Sequence, residues 1–430
     1  MTVAVNREKI ADGVVFTEII DKKLKTNVLK VKFITELSEK YAALNTMVAM
    51  MIGATNSKIN TYSEMSDKLN SLYGSSLFTD TVKSGDCQIV TISVDCIENK
   101  YSFDNEDITG QLLDIVIDCI FSPNASDGKF DITEFNLKKR EILETICAEI
   151  NNKHNYAFSR AQKSIFINEP CAFSLYGTKE IVEAITPEKL YQAYLKLVDE
   201  SVIEIYYVTP EKDTSVKERF AKTFSSRQRK PQKLRFRSVS KLKENPCNVT
   251  EEVEMNQAKV VMAFKTSNND KNACAIACKL FGGTAFSKLF SNVREKMSLC
   301  YYCTSSFVYS KGTMIVDSGV ENENVDRLTQ EVNKQLDSLK RGEFSPEEFL
   351  NTKLYITNAI RSVPDSPSSL IGWYFSGYCN GNIITTEEEI KNIMNITSQQ
   401  VIEAAQSFTL DTVYIMKAKE NSEGGETDDK

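Results

Sequence analysis

One histidine in 430 residues, His154, limits what this chain can catalyse. A two-histidine zinc site needs imidazoles one helical turn apart and a carboxylate to activate the bound water, and no second imidazole exists. A Ser-His or Cys-His nucleophile pair would need that same ring. His154, however, lies in Asn151-Asn152-Lys153-His154-Asn155, a polar stretch that reads as surface. Eleven cysteines, an odd number, read as reduced, cytosolic thiols packed as small hydrophobes. Cys300-Tyr301-Tyr302-Cys303 is formally a C-x-x-C, but it opens a strand-like stretch and has no second pair at zinc-ribbon spacing. It reads as core, not as a metal or redox site. Met47-Val48-Ala49-Met50-Met51 lies on a helix whose period buries Leu44, Met47 and Met51. A thioether is a poor zinc ligand and cannot accept a proton, so this stretch is expected to form an apolar wall.

Composition narrows the class further. Hydrophobic residues make up 41% and charged residues 26%, with 17 Gly and 9 Pro, as in a packed globular protein of two domains. A net charge of −7 and the absence of aromatic residues interleaved with basic clusters argue against nucleic acid. There is no G-x-x-x-x-G-K-[ST], and Gly282-Gly283 lacks the G-x-G-x-x-G spacing. No apolar run is long enough to span a membrane, and Met1 to Glu8 has no signal-like apolar core. A cytoplasmic location is the expectation.

The elements that must position any site come as one unit used twice. Thr186-Pro187-Glu188 opens a capped helix that leads to the strand Val202-Ile203-Glu204-Ile205-Tyr206-Tyr207-Val208. Thr397-Ser398-Gln399 opens its counterpart, leading to Thr412-Val413-Tyr414-Ile415-Met416. The long helices opened by Thr133-Glu134-Phe135 and by Ser345-Pro346-Glu347-Glu348-Phe349 form a second matched pair. Strands are predicted at 13–20, 27–34, 77–84, 88–96, 257–265, 301–309, 312–320 and 412–417. Helices are predicted at 40–54, 61–73, 107–121, 131–152, 270–281, 284–296, 323–341 and 345–361. The fold class is α+β: two tandem homologous domains, 1–220 and 246–420, each an antiparallel-rich sheet packed against helices. The basic, Pro-containing stretch within 221–245 reads as a solvated linker, or less plainly as an arm for an acidic partner. Residues 421–430 read as a disordered tail.

Ser287-Lys288-Leu289-Phe290-Ser291-Asn292-Val293-Arg294-Glu295-Lys296, followed by Leu299-Cys300-Tyr301, resembles the S-x-L-F-x-x-[VL]-R-E-x-x-x-L-x-Y block of the insulinase/processing-peptidase family. Phe281-Gly282-Gly283 is similar to the glycine turn that precedes that block, and Glu347-Glu348-Phe349, Lys353 and Asp365-Ser366 are similar to later landmarks. Counting back from Leu72-Tyr73-Gly74 puts the family's H-x-x-E-H on Met47 to Met51, and residues 36–60 contain no histidine. The helix carrying Lys139-Arg140-Glu141 resembles the one that supplies the third zinc ligand, which makes Glu144 or Glu149 the nominal counterpart without histidines to assist.

The resemblance implies a clam-like half-chamber without catalytic residues or bound metal. In it Arg294 and Tyr301, with Gly282 and Gly283, would hold peptide backbone. A guanidinium offers forked donors to carbonyls or a carboxylate, and a phenol adds one more. The alternative is that Arg294 pairs with a helix carboxylate and Tyr301 packs in the sheet. Short family members work as heterodimers, so the resemblance also implies an H-x-x-E-H-bearing partner subunit that holds the zinc, and a peptide or protein substrate. It extends to the metal-free member of a bacterial pair, a branch labelled in Gram-positive bacteria as associated with 5-aminopentanol modification of elongation factor P. Two other readings compete: a stand-alone peptide-binding or scaffold pseudoenzyme, and an independent hydrolase, which the lone histidine disfavours.

Overall fold

The computed structural model describes residues 3–419, so the predicted tail lies outside the described residues. Thirteen strands occur in chain order among them. The first eight are β1 (Ala4–Ala11), β2 (Val14–Ile20), β3 (Thr26–Glu36), β4 (Ser76–Ser84), β5 (Cys87–Ile97), the short β6 (Ala125–Ser126) and β7 (Lys129–Phe130), and β8 (Val202–Thr209). The last five are β9 (Cys247–Val253), β10 (Ala258–Lys265), β11 (Cys300–Val308), β12 (Thr313–Val320) and β13 (Thr409–Ala418).

Two sheets carry the fold. One has the order β4-β5-β3-β8-β2-β1, the other β11-β12-β10-β13-β9. The two orders superimpose strand for strand once β1 is set aside. In each, the strand after the capped helix pairs in parallel with the sheet's first strand, β8 with β2 and β13 with β9, while the remaining neighbours are antiparallel. An internal duplication accounts for this match, and the class expected from the sequence, α+β with antiparallel-rich sheets on helices, is the class observed.

The compact units do not follow the chain halves. The first unit holds the residues up to Ala148 together with Asn168–Arg237 and Ser362–Ile384. The second holds Glu149–Ile167, Ser238–Arg361 and the chain from Thr385. Each sheet therefore has one face covered by a helix from the other half of the sequence. In the first unit β8 alternates strictly: Ile203, Ile205 and Tyr207 face the main core, while Tyr206 and Val208 meet Leu370, Ile371 and Tyr374 of helix Pro367–Cys379. In the second unit helix Lys153–Ile165 takes the equivalent place, with Arg160 bonded to Glu251 of β9 at 3.0 Å. These two helices were not expected; a single helix over 131–152 was. The chain instead ends helix Ile132–Ala148, makes one tight turn at Glu149–Asn151 and starts afresh at an Asn152 cap.

The basic stretch within 221–245 is not the solvated linker that its composition suggested. Arg229 is buried, donating to the carbonyls of Val198 (3.0 Å) and Asp12 (2.6 Å), and Arg227 pairs with Asp199 at 3.0 Å. Both guanidinium groups satisfy acceptors within the first unit. Lys243, in the second unit, donates to Asp411 at 2.7 Å. No helix among the described residues is long and apolar enough to cross a membrane.

Candidate functional site

Helix Glu39–Ile52 carries the methionines. Ser38 stands at its N-cap position without a side-chain capping bond, and Glu39 sits in its first turn, where a carboxylate complements the helix dipole. Met47 and Val48 are fully buried and Met51 is 2% exposed, all within the main core of the first unit. Leu44 and Met50 are half-buried and pack against that core. Of the residues expected to form the wall, Leu44 and Met50 are thus the two left at its margin. The polar residues of this helix are already spent: Asn45 donates to Gln88 at 3.0 Å, and Thr46 to the Leu175 carbonyl at 2.8 Å. Gln88 in turn donates to the Ala42 carbonyl at 2.9 Å.

This donor set does not fit zinc, which takes imidazole, thiolate or carboxylate. Glu144 is exposed, 3.7 Å from Arg140, and Glu149 is exposed on its own turn. Elsewhere in the first unit Asp86, Glu169 and Cys171 lie close enough together to share an ion. There, however, Asp86 already accepts the Cys171 N–H at 3.1 Å, and the Lys83 ammonium bonds the carbonyls of Cys171 and Phe173 at 3.0 and 3.1 Å. Positive charge is already supplied to that corner.

His154 is exposed, as its polar surroundings suggested, but it is not isolated. Its Nε2 lies 2.5 Å from Asp317, whose other oxygen accepts from the Tyr302 hydroxyl at 3.2 Å, and the His154 and Tyr302 rings meet edge to face. Nδ1 faces Asn155 at 3.3 Å. With both nitrogens engaged, neither serves a serine or a cysteine.

The Arg294–Tyr301 block stands where the backbone is least regular. Leu289–Lys296 is a π-helix, an arrangement found in under about 1% of residues and often at functional sites. Ser298 follows at φ 51, a left-handed conformation unusual for a residue with a side chain. Tyr301 is then the extra residue of a β-bulge: Cys300 pairs with Val320 and Tyr302 with Gly319, leaving Tyr301 without a partner. Tyr301 is 55% exposed and its hydroxyl donates to Glu321 at 2.6 Å. That hydrogen bond to a carboxylate raises the phenol's pKa.

Arg294 is half exposed, stacked 4.7 Å over the Phe290 ring, and 3.7 Å from Glu295. Its guanidinium makes no hydrogen bond among the described residues. The packed alternative weighed for this pair therefore does not describe Tyr301, and it describes Arg294 only through that loose contact.

Gly282 ends helix Lys271–Gly282, and a Cβ there would stand 2.7 Å from Leu289 and 3.0 Å from the Ser305 backbone nitrogen. Its missing side chain is what lets β11 and the π-helix close on that helix. Gly283 caps the helix, its N–H bonding the Lys279 carbonyl at 3.1 Å. Glu321 and Ser298 lie outside the reach of sequence reasoning, since a π-helix and a bulge leave no periodic signal.

A duplicated α+β fold whose helix Glu39–Ile52 buries methionine, where the resemblance would put zinc ligands, defines the class of protein to compare. A family model described as the peptidase M16 inactive domain matches residues 184–354. Over 424 residues, 97% of this chain and 99% of the relative, the sequence is 27% identical to a protein of Bacillus subtilis (strain 168) named "Probable inactive metalloprotease YmfF". Among solved structures, a conserved protein from Enterococcus faecalis V583 matches with TM-score 0.90 at 23% identity, covering 97% of this chain and 100% of that one. The peptidase M16 inactive domain from Pseudomonas fluorescens matches with TM-score 0.81 at 14% identity, covering 97% and 98%. The chain is thus similar over residues 184–354 to the peptidase M16 inactive domain, similar over nearly its whole length to a probable inactive metalloprotease, and shares the fold of the M16 inactive domain.

Proposed function

We propose that this chain is the non-catalytic subunit of a heterodimeric processing peptidase, lending Arg294 and Tyr301 to bind peptide that a zinc-bearing partner cleaves. The observation that carries the reading is a contrast between two helices. The one that would hold metal is closed with buried methionine, while the π-helix and bulge present an unbonded guanidinium and an exposed phenol. Irregular backbone costs free energy, on the order of 1–3 kcal/mol for a strained residue, and is kept where it aims a side chain. A guanidinium held only by the Phe290 ring and a 3.7 Å ion pair with Glu295 retains its hydrogen-bond donors for peptide carbonyls or a carboxylate.

Purification of the chain from its native host, with identification of what co-elutes, tests the partnership. A co-eluting chain bearing H-x-x-E-H is expected. In that complex Arg294→Ala should lower peptide turnover by roughly 30- to 1000-fold, about 2–4 kcal/mol, with association intact. Tyr301→Phe should cost about 0.5–1.5 kcal/mol. Undiminished turnover with both substitutions would overturn the peptide-gripping role and leave a scaffold.

A further inference from the structure

In a regular strand, residues three apart point to opposite faces, so a C-x-x-C on a strand cannot bring its sulfurs together. The bulge at Tyr301 reverses that parity. Cys300 lies opposite Val320 and Cys303 opposite Ser318, and Val320 and Ser318 are two apart on one face of β12. Cys300 and Cys303 therefore share a face as well. Each thiol perturbs the other's titration, and Ser318, opposite Cys303, donates its hydroxyl to the Tyr302 carbonyl at 2.7 Å.

The two sulfurs are not equivalent. The Cys300 thiol is drawn below its ordinary range, first by the hydrogen bond from Cys303 and then, against its burial, by Ser318 and the charge of Arg294. Cys303 moves upward, held protonated by the same bond and by burial. Elsewhere burial pushes Cys87, Cys119 and Cys379 up to about 12. Cys300 is 9% exposed, at the start of an edge strand just past the Ser298 turn. A thiolate-prone sulfur beside a protonated one is the arrangement of an attacking and a resolving cysteine.

We propose that Cys300 and Cys303 form a redox-active dithiol that takes a hydroperoxide as oxidant and closes to a disulfide within β11. The Cys300 thiolate attacks the peroxide oxygen, the O–O bond breaks, and Cys300 becomes a sulfenic acid as hydroxide or alkoxide leaves and is protonated. The Cys303 sulfur then attacks the Cys300 sulfur; the S–S bond forms, the S–O bond breaks, and water departs with the Cys303 proton. Two thiols lose two electrons and two protons, and the hydroperoxide is reduced to water and an alcohol, or to two waters from hydrogen peroxide. A dithiol reductant reverses the step by exchange. A disulfide fixes the separation of its two Cα atoms within a narrow range, so closure resets the bulge and with it the direction of Tyr301. That last consequence rests on the peptide-binding reading of Tyr301; the dithiol chemistry does not.

The test uses the full chain, reduced, exposed to hydrogen peroxide at neutral pH and then unfolded in excess N-ethylmaleimide for mass spectrometry of its tryptic peptides. The peptide from Met297 to Lys311 carries Cys300 and Cys303 and no other cysteine. It should lose two hydrogens and escape alkylation, at a dose that leaves buried Cys87, Cys119 and Cys278 alkylated, and dithiothreitol should restore it. In Cys303→Ser the oxidised Cys300 should be trapped by dimedone as a sulfenic acid. Alkylation of both cysteines in the wild type, at a dose that already oxidises exposed Cys147, would overturn the proposal. So would pairing of either with a different cysteine. The measurement needs neither partner nor peptidase activity, so its failure leaves the subunit reading standing, and failure of that reading leaves the dithiol standing.

Discussion

Restoring the residues of an active zinc helix, by Met47→His, Met50→Glu and Met51→His together, should damage the fold before it gains any chemistry. Met47 has no exposure and Met51 2%, so each imidazole would enter space shaped for a thioether. The polar groups of the neighbourhood are committed: Asn45 is bonded to Gln88 and Thr46 to the Leu175 carbonyl. A buried polar group without a partner costs about 1–3 kcal/mol, or roughly 2–6 for two imidazoles. The half-buried position 50 adds on the order of 1 kcal/mol for a carboxylate facing apolar neighbours. The sum, about 3–7 kcal/mol, is comparable with the ~5–15 kcal/mol that holds a typical domain together. Urea denaturation followed by circular dichroism should show a large fall in the midpoint for the triple variant. Met47→Leu with Met51→Leu, which conserves volume and polarity, should cost less than about 1.5 kcal/mol per site. A triple variant with the parent's midpoint and one tightly bound zinc per chain would refute the reasoning, because it would mean that the helix still frames a competent metal site.

Two further perturbations probe the second unit. Asp411 is fully buried between Lys243 at 2.7 Å and Lys265 at 3.2 Å, so Asp411→Ala should cost about 3–5 kcal/mol in urea unfolding by removing the carboxylate that offsets the buried Lys265 charge. Burial pushes the Asp411 carboxyl up, but hydrogen bonds from Lys243 and Thr412 and the Lys265 charge outweigh it and leave the pKa lowered. Its stabilising contribution is therefore present above the unfolded carboxylate value and is lost as pH falls through the lower folded value; Asp411→Asn should flatten that acid limb. Gly282→Ala should destabilise by about 1–3 kcal/mol, read by the same unfolding assay, because its methyl would strike the Ser305 backbone at 3.0 Å as well as Leu289.

Sequence reasoning reached the parts of the molecule that have a period or a cap. The strands expected at 27–34 and 88–96 are the centres of β3 and β5, and the Thr186 and Thr397 caps open the helices they were expected to open. The methionine wall was legible because burial on a helix follows its 3.6-residue repeat, and only its margin, Leu44 and Met50, is half-buried. Helix Pro367–Cys379 was missed: Leu370, Ile371, Trp373, Tyr374 and Phe375 surround it with apolar residues and give no single face to detect. Strand β9 was missed because it alternates half-buried with exposed residues at a sheet edge, leaving no apolar run. The C-x-x-C reading as core agrees with the burial of Cys300 and Cys303, but the face they share was not legible. Strand parity is correct as a rule, and one inserted residue, invisible in composition, inverts it.

That each sheet is covered by a helix from the other half of the sequence has a consequence for how the chain is made. When residue 237 has been synthesised, all six main strands of the first sheet exist, yet Tyr206, Val208, Ile19 and Val28 still lack the residues that cover them, Leu370, Ile371 and Tyr374. That apolar face waits for more than a hundred further residues to be translated, about 5–30 s at ordinary elongation rates. During that interval the nascent first unit presents an uncovered sheet, the kind of surface that chaperones hold and that aggregates when they do not.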